Sequence, residues 1–519
     1  MELNGFIILF IKKIDTYCKL VIISLIISIY LIHYPAIGGN LPELGGSEGN
    51  GLSLFDEHKL GKKIFTALKS SNNFLDAPEI EDYLTQIIRS FLDSTKISRD
   101  KDFNYLEKYN KVRLFLLIND SFNAFALPGN YIGVHTGLFG GVSTRGELLA
   151  VLSHELAHLT QRHISRKYGQ RKEASGVMIA SAILSAIAMA ASEGDAALGI
   201  MSLGQTRALQ KQLTFSRQAE READRIGMGF LEAVGVDNHS MIRMLETLQE
   251  RSLSGENSAI SWLSTHPLTY ERLADLRMRK NFDVYQDKKK NNFQMEDEIF
   301  EWLQLRLRSE VQLNSFFTQS IFSNDFSSKR EKDLNSVYLS YKNLLRTIHK
   351  KNYKDAERII KSLKDKYDLI RAYNRILYYL IVETEVELNL KQKYFQKALE
   401  TIDLINGPAK TTFLYRTFTR HRIEALYGLK RVAELEQVAK KILKKAPDDT
   451  WVWKKRAASA FSAGKKAKAY LFLAEANISE GKLKQALERL NLIRSIQGEH
   501  HVFMAKVEVR IKQVQNQLK

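Results

Sequence analysis

The chain has 519 residues, 44% hydrophobic and 26% charged, which fits packed cores, excludes wholesale disorder and, at about 150 residues per domain, suggests two to four domains. A single cysteine, Cys18, excludes an intramolecular disulfide and any cysteine-built zinc finger. The formal charge of +18 is unevenly placed: residues 1–300 hold 34 Lys+Arg against 35 Asp+Glu, and residues 301–519 hold 43 against 24. A charge-balanced part and a basic part are expected to meet different partners.

Residues 20–32 form an apolar run behind Lys12, Lys13 and Lys19 and ahead of Ala36-Ile37-Gly38. A bilayer core of ~30 Å needs about 20 helical residues. Basic, short apolar, then small is the order of a secretory signal peptide over 1–38, with an uncleaved anchor as the alternative. Its removal would leave no cysteine, which suits an oxidising compartment. Residues 39–51 are a Gly-rich polar arm.

Spacing at Leu60, Ile64 and Leu68 predicts helix within 55–97. Stretches 112–118 and 131–134 predict short strands, joined through 123–129. Thr144-Arg-Gly-Glu147 is a capping-box sequence, so a helix is expected from near Thr144 to about Lys167. Residues 177–191 are small and apolar throughout, too few to cross a bilayer; they read as a buried helix, with membrane contact as the alternative. Helical patterns resume over 215–278, and Lys288-Lys-Lys-Asn-Asn292 is the expected domain boundary.

Beyond Glu298 the pattern is helical almost without interruption. A Gly or Lys followed five residues later by Ala recurs at Ala398, Ala433 and Ala469, Gly481 to Ala486 repeats it, and Pro408 and Pro447 close two units. A period near 34 is that of tetratricopeptide-like helix pairs, a generic helical solenoid being the alternative. The expected fold is therefore α+β, mainly α: a first domain with a small sheet over 39–290, then an all-α solenoid over 300–519. The basic residues are spread over repeat helices with no recognisable nucleic-acid module, so nucleic acid is not an expected partner.

His154-Glu-Leu-Ala-His158 carries the sharpest chemistry. On a helix, positions i and i+4 share a face, so both imidazoles reach one metal ion. Glu155 sits about 100° round, able to serve water without ligating the metal. Zinc needs a third protein ligand. Glu220 and Asp224 share a helix face at i, i+4, so one of them is a candidate ligand and the other a support for an imidazole, while Glu222 points elsewhere.

HELAHLTQRHISR (154–166), NAFALPGNYIGVHTGLF (123–139), SRQAEREADRIG (216–227) and STHPLTYERLADLR (264–277) together resemble the zinc peptidases of the HtpX and CAAX-protease superfamily, in particular its periplasmic members with a C-terminal tetratricopeptide domain. The resemblance follows nearly the whole chain in order; its motifs are specific in the peptidase half and weak in the repeats. It implies one Zn2+ per chain on His154, His158 and Glu220, with Glu155 as general base and Asp224 as a supporting catalytic acid. It implies that His266, on sequence alone a structural histidine after a turn, approaches the metal in a latent state. Asn123, Ala124, Phe125 and Ala126 would form the edge strand that pairs with an extended substrate. Residues 177–191 would give peripheral membrane contact or cover the cleft. The implied activity is zinc endopeptidase cleavage of misassembled outer-membrane proteins in the periplasm, with outer-membrane protein precursors and the β-barrel assembly machinery as partners. An assembly chaperone in which proteolysis is secondary is the alternative. His163, five residues after His158, is left outside the site.

Overall fold

The computed structural model describes residues 52–71, 73–94, 112–169, 215–253, 262–263, 265–280, 290–311, 329–409, 412–496 and 500–518. The expected leader at 1–38, the arm at 39–51 and the apolar run at 177–191 lie outside the described residues. So do Lys288 and Lys289 of the expected boundary.

In chain order the first elements are α1 (Leu54–Lys69), β1 (Phe74–Leu75), α2 (Pro78–Ser94), β2 (Arg113–Leu117), β3 (Ala124–Leu127) and β4 (Tyr131–His135). Then come α3 (Thr136–Gly141), α4 (Arg145–Thr160), α5 (His163–Gly169), α6 (Arg217–Ala233), α7 (His239–Leu253) and α8 (Tyr270–Lys280). The sheet order is β1-β2-β4-β3, with β2 parallel to β4 and the outer pairs antiparallel. Both expected strands are present, and 123–129 contributes β3 at the sheet edge. Side chains alternate as a strand dictates. Leu114 and Leu116 enter the main core with Ile80, Leu84 and Phe91 of α2, while Phe115 and Leu117 enter a smaller core under Leu60, Ile64 and Phe65 of α1. The sheet is thus covered on both faces, and β3 presents its outer edge to α4.

Helix α4 starts as its sequence predicts. Thr144 Oγ1 accepts from the Glu147 amide at 3.2 Å, and the Glu147 carboxylate accepts from the Ser143 amide at 2.9 Å. Fourteen of its 16 residues are buried, so this helix is buried on every side and has no solvent face to which charged groups could turn. It ends earlier than expected. Arg162 adopts φ 52°, the left-handed region, and the chain restarts as α5 in a new direction.

The remainder is helical: α9 (Lys290–Val311), α10 (Lys329–His349), α11 (Tyr353–Lys364), α12 (Tyr367–Tyr373), α13 (Arg375–Lys391), α14 (Phe395–Ala409), α15 (Tyr415–Gly428), α16 (Val432–Lys445), α17 (Thr450–Ser462), α18 (Lys466–Ser479), α19 (Leu483–Arg494) and α20 (His501–Leu518). The fold is mainly α with one small sheet, in agreement with the sequence. Tight turns between successive helices carry left-handed residues at Lys351, Lys393, Lys430, Gly464 and Gly481. Five positions on from each, Ala356, Ala398, Leu435, Ala469 and Ala486 are buried. The periodic small residue is therefore real at Ala398, Ala469 and Ala486, but Ala433 is exposed and Leu435 takes the buried position of that unit.

The basic helices close on the sheet-bearing part. Arg416 of α15 meets Glu81 at 2.6 Å and Asp82 at 3.2 Å on α2, and Arg420 meets Asp76 at 2.9 Å while chelating Asp449. Gln304 of α9 donates to the carbonyls of Phe139 and Val142, and Arg306 pairs with Glu383 of α13. A single hydrophobic cluster runs from Ala77 to Val452. Part of the charge imbalance between the halves is thus matched within the chain. Among the described residues no helix is long and apolar enough to cross a membrane.

Candidate metal centre

Helix α4 and helix α6 cross so that Gly227 of α6 sits against the backbone at Ser153 and His154. Ser216 caps α6, its Oγ accepting from the Ala219 amide at 3.1 Å, and this start sets Glu220 in the first turn, opposite the two histidines. His154 Nε2 and His158 Nε2 lie 3.0 Å apart. Glu220 approaches them with Oε2 at 3.5 Å and Oε1 at 3.4 Å respectively. His266 Nδ1 completes the group, 3.1 Å from Glu220 Oε1 and 3.3 Å from His154 Nε2.

These four buried residues bring one ligand atom each to within 4.8 Å of one another. The donor set is nitrogen and oxygen, the kind zinc takes. Two imidazole nitrogens and a carboxylate oxygen pointing at one spot repel unless a proton or cation stands between them. Glu155 Oε1 is moreover buried without a hydrogen bond, and Glu220 Oε2 has only the ion pair to Arg272 at 2.9 Å, so a cation among the donors would relieve buried negative charge. The residues fit one zinc ion.

Glu155 stands beside this group rather than in it. Its Oε2 accepts from the Ala126 amide on the outer edge of β3 at 2.9 Å, and its Oε1 lies 3.4 Å from His266 Nε2. Burial pushes its carboxyl above the ordinary range, more than neighbouring histidines lower it. A raised carboxylate is a better proton acceptor, as a general base requires.

The electrostatics of the two imidazoles differ. Burial alone would lower His154, but Asp224 and Glu220 overcome it and raise its pKa to about 9. Burial holds His158 well below its ordinary value. For Glu220, burial is outweighed by His266, His154 and His158, which hold its carboxyl well below the usual range. Asp224 does not join the donor group: its Oδ1 lies 3.0 Å from His154 Nδ1, on the far side of the ring.

Sequence reasoning passed over four contributors. Arg272 is buried and chelates Asp224 through Nε and Nη2 at 2.7 and 2.8 Å; its Nη1 is 2.9 Å from Glu220 and 3.0 Å from the Pro267 carbonyl. Trp262 stacks on His266 with ring centroids 4.6 Å apart, and Phe215 stacks on His158 at 4.1 Å. His163 lies directly behind His158, Nδ1 to Nδ1 at 2.7 Å, and reaches Glu222 with Nε2 at 3.2 Å. The break at Arg162 turns His163 back toward the site. Continued helix would have carried it about 140° away from His158.

Residues 78–280 match the model of peptidase family M48, a family of zinc-dependent peptidases. The chain is 31% identical over 245 residues to the beta-barrel assembly-enhancing protease of Escherichia coli (strain K12), covering 46% of this chain and 47% of that protein. It is 28% identical over 241 residues to the protein of that name from Yersinia pestis, covering 46% and 47%. Over 148 residues it is 30% identical to the mitochondrial metalloendopeptidase OMA1 of Bos taurus, covering 28% of each chain. The alignments thus span about half the length of the bacterial relatives.

Proposed function

We propose that this protein is a zinc endopeptidase, with residues 39–290 carrying the chemistry and 300–519 a tetratricopeptide-like repeat part. The convergence of His154, His158 and Glu220 beside Glu155 is the observation that carries the reading. His154, His158 and Glu220 hold the metal. Zinc, when bound, supplies a Lewis acid that polarises the scissile carbonyl and lowers the pKa of water. Glu155 takes the proton of the attacking water and returns it to the leaving amine. Asp224, held by Arg272, acts by orienting the His154 ring from behind. Its chelation by an arginine argues for an ionised orienting group over a proton donor.

Substrate enters as an extended strand along the outer edge of β3, between Asn123 and Ala126. Glu155 then exchanges its contact with the Ala126 amide for the reacting water. His266, in reach of both Glu155 and Glu220, would join the ligand group in a latent state and withdraw for catalysis. The relatives named for β-barrel assembly support outer-membrane protein precursors as substrates, the assembly machinery as partner and the periplasm as the location. The repeat part presents those partners, and residues 177–191 make any peripheral membrane contact.

Glu155→Gln tests the reading. The variant should retain zinc and lose cleavage of an unfolded test protein by at least about 100-fold; cleavage at the wild-type rate would overturn the base assignment. Full rescue of an envelope-defective strain by the same variant would instead favour an assembly role without proteolysis.

A further inference from the structure

Glu220, Glu222 and Asp224 alternate along one stretch of α6. Glu220 faces the donor group and Asp224 stands behind His154. Glu222 lies about 200° round the helix from Glu220 and is partly exposed, yet a chain of contacts leads from it back to the metal centre. Glu222 Oε2 is 3.2 Å from His163 Nε2 and 3.0 Å from Arg166 Nη2, and His163 Nδ1 is 2.7 Å from His158 Nδ1. His163 is itself buried.

We propose that His163 is a positioning residue for the metal-binding imidazole of His158, and that Glu222 with Arg166 fixes the tautomer through which it acts. The proposal rests on the reading of His158 as a ligand. Two ring nitrogens 2.7 Å apart accommodate one proton between them: two protons would clash, and none would set lone pair against lone pair. His158 turns Nε2 toward His154 and Glu220, so Nε2 offers the lone pair and the neutral ring carries its proton on Nδ1. His163 must then accept at Nδ1 and hold its own proton on Nε2. That proton is donated to Glu222, whose carboxylate Arg166 pairs from outside.

Each histidine of the motif thus has its own support ending in an acid of α6 and an arginine. His154 has Asp224 and Arg272 directly; His158 has Glu222 and Arg166 through a second imidazole. A hydrogen-bonded acceptor behind a ligating imidazole fixes its rotation and raises its basicity. The turn at Arg162 makes this possible, because it brings a residue five positions past His158 round behind that ring.

The test is zinc affinity of the full chain, measured by competition with a chromophoric chelator, together with the visible spectrum of the Co2+-loaded protein. His163→Phe keeps the volume and removes the acceptor; it should bind zinc 10- to 100-fold more weakly, as loss of such supports does elsewhere, and shift the cobalt bands. His163→Asn returns an oxygen near the Nδ1 position and should recover affinity to within about threefold of wild type. Affinity of His163→Phe within about threefold of wild type, or an Asn variant as weak as Phe, overturns the proposal. If His163→Phe does not fold, Glu222→Leu, which removes the acceptor, decides: a loss of affinity supports the relay and wild-type affinity overturns it. A wild-type chain that takes up no zinc overturns the ligand reading itself, whereas one that takes up zinc as tightly as His163→Phe does overturns only the role of His163.

Discussion

Replacing Arg272 with Met isolates the buried support under the candidate metal centre. The guanidinium makes two charge-assisted bonds to Asp224 at 2.7 and 2.8 Å, one contact to Glu220 at 2.9 Å and one bond to the Pro267 carbonyl at 3.0 Å. Methionine fills the stem and leaves the Asp224 carboxylate buried, with only the His154 ring opposite. Breaking a buried pair from one side costs about 3–5 kcal/mol, and the lost bond to Pro267 adds roughly 1 kcal/mol. Equilibrium urea unfolding of the metal-free chain, followed by far-UV circular dichroism, reads the difference.

The pH dependence supplies a second check. Burial pushes the Asp224 carboxyl up, but Arg272 and His154 outweigh it and hold the group below its ordinary value. A depressed carboxyl contributes stability above its unfolded pKa of ~3.9, and that contribution is lost as pH falls through the lower folded value. The gap between wild type and Arg272→Met should therefore be full at pH 6 and shrink below about pH 4. A loss under about 1 kcal/mol at pH 6, or a gap that does not change with pH, would refute the reasoning.

Three further outcomes follow from the same geometry. With His154 raised to about 9, its proton competes with zinc, so zinc affinity should climb by up to about tenfold per pH unit between pH 7 and 9; chelator titrations giving a flat profile would contradict this. Ala126→Pro removes the amide held by Glu155 on the outward side of an edge strand, where proline is tolerated. The fold should survive by circular dichroism while kcat/KM falls by about tenfold or more, the worth of one hydrogen bond, and wild-type kinetics would dismiss the edge as a docking strand. Gly61 of α1 backs onto the Pro128 carbonyl, so Gly61→Ala should cost about 1–3 kcal/mol in thermal unfolding. Gly229→Ala, facing open space in α6, should gain about 0.5–1 kcal/mol; the reverse order would discredit the packing described.

The parts of the site legible in the sequence are those fixed by local periodicity. The capped helix, the i, i+4 pair His154/His158 and the candidate acids Glu220 and Asp224 follow from helix geometry; His154, His158 and Glu220 come together, and Asp224 stands behind the His154 ring. His163, and with it the contact to Glu222, was unreadable because it depends on a left-handed turn at Arg162, and arginine carries no signal for that conformation. Arg272, Trp262 and Phe215 come from segments distant in sequence, and their roles exist only once α6 and the turn at His266 pack on α4. The repeat pattern was legible at Ala398 and Ala469. At Ala433 the pattern fails, because Lys430 and not Gly428 supplies the left-handed turn residue. The basic charge of 301–519 suggested an external partner, and spacing could not reveal that Arg306, Arg416 and Arg420 pair with acids inside the chain.

The central claim is that His154, His158 and Glu220 hold one zinc ion. The direct measurement is metal content per chain, by plasma mass spectrometry, of the purified full-length protein and of His154→Ala after dialysis against metal-free buffer. About one zinc in the wild type and almost none in the folded variant is the predicted result. A folded wild type without zinc, or equal zinc in both proteins, would contradict it.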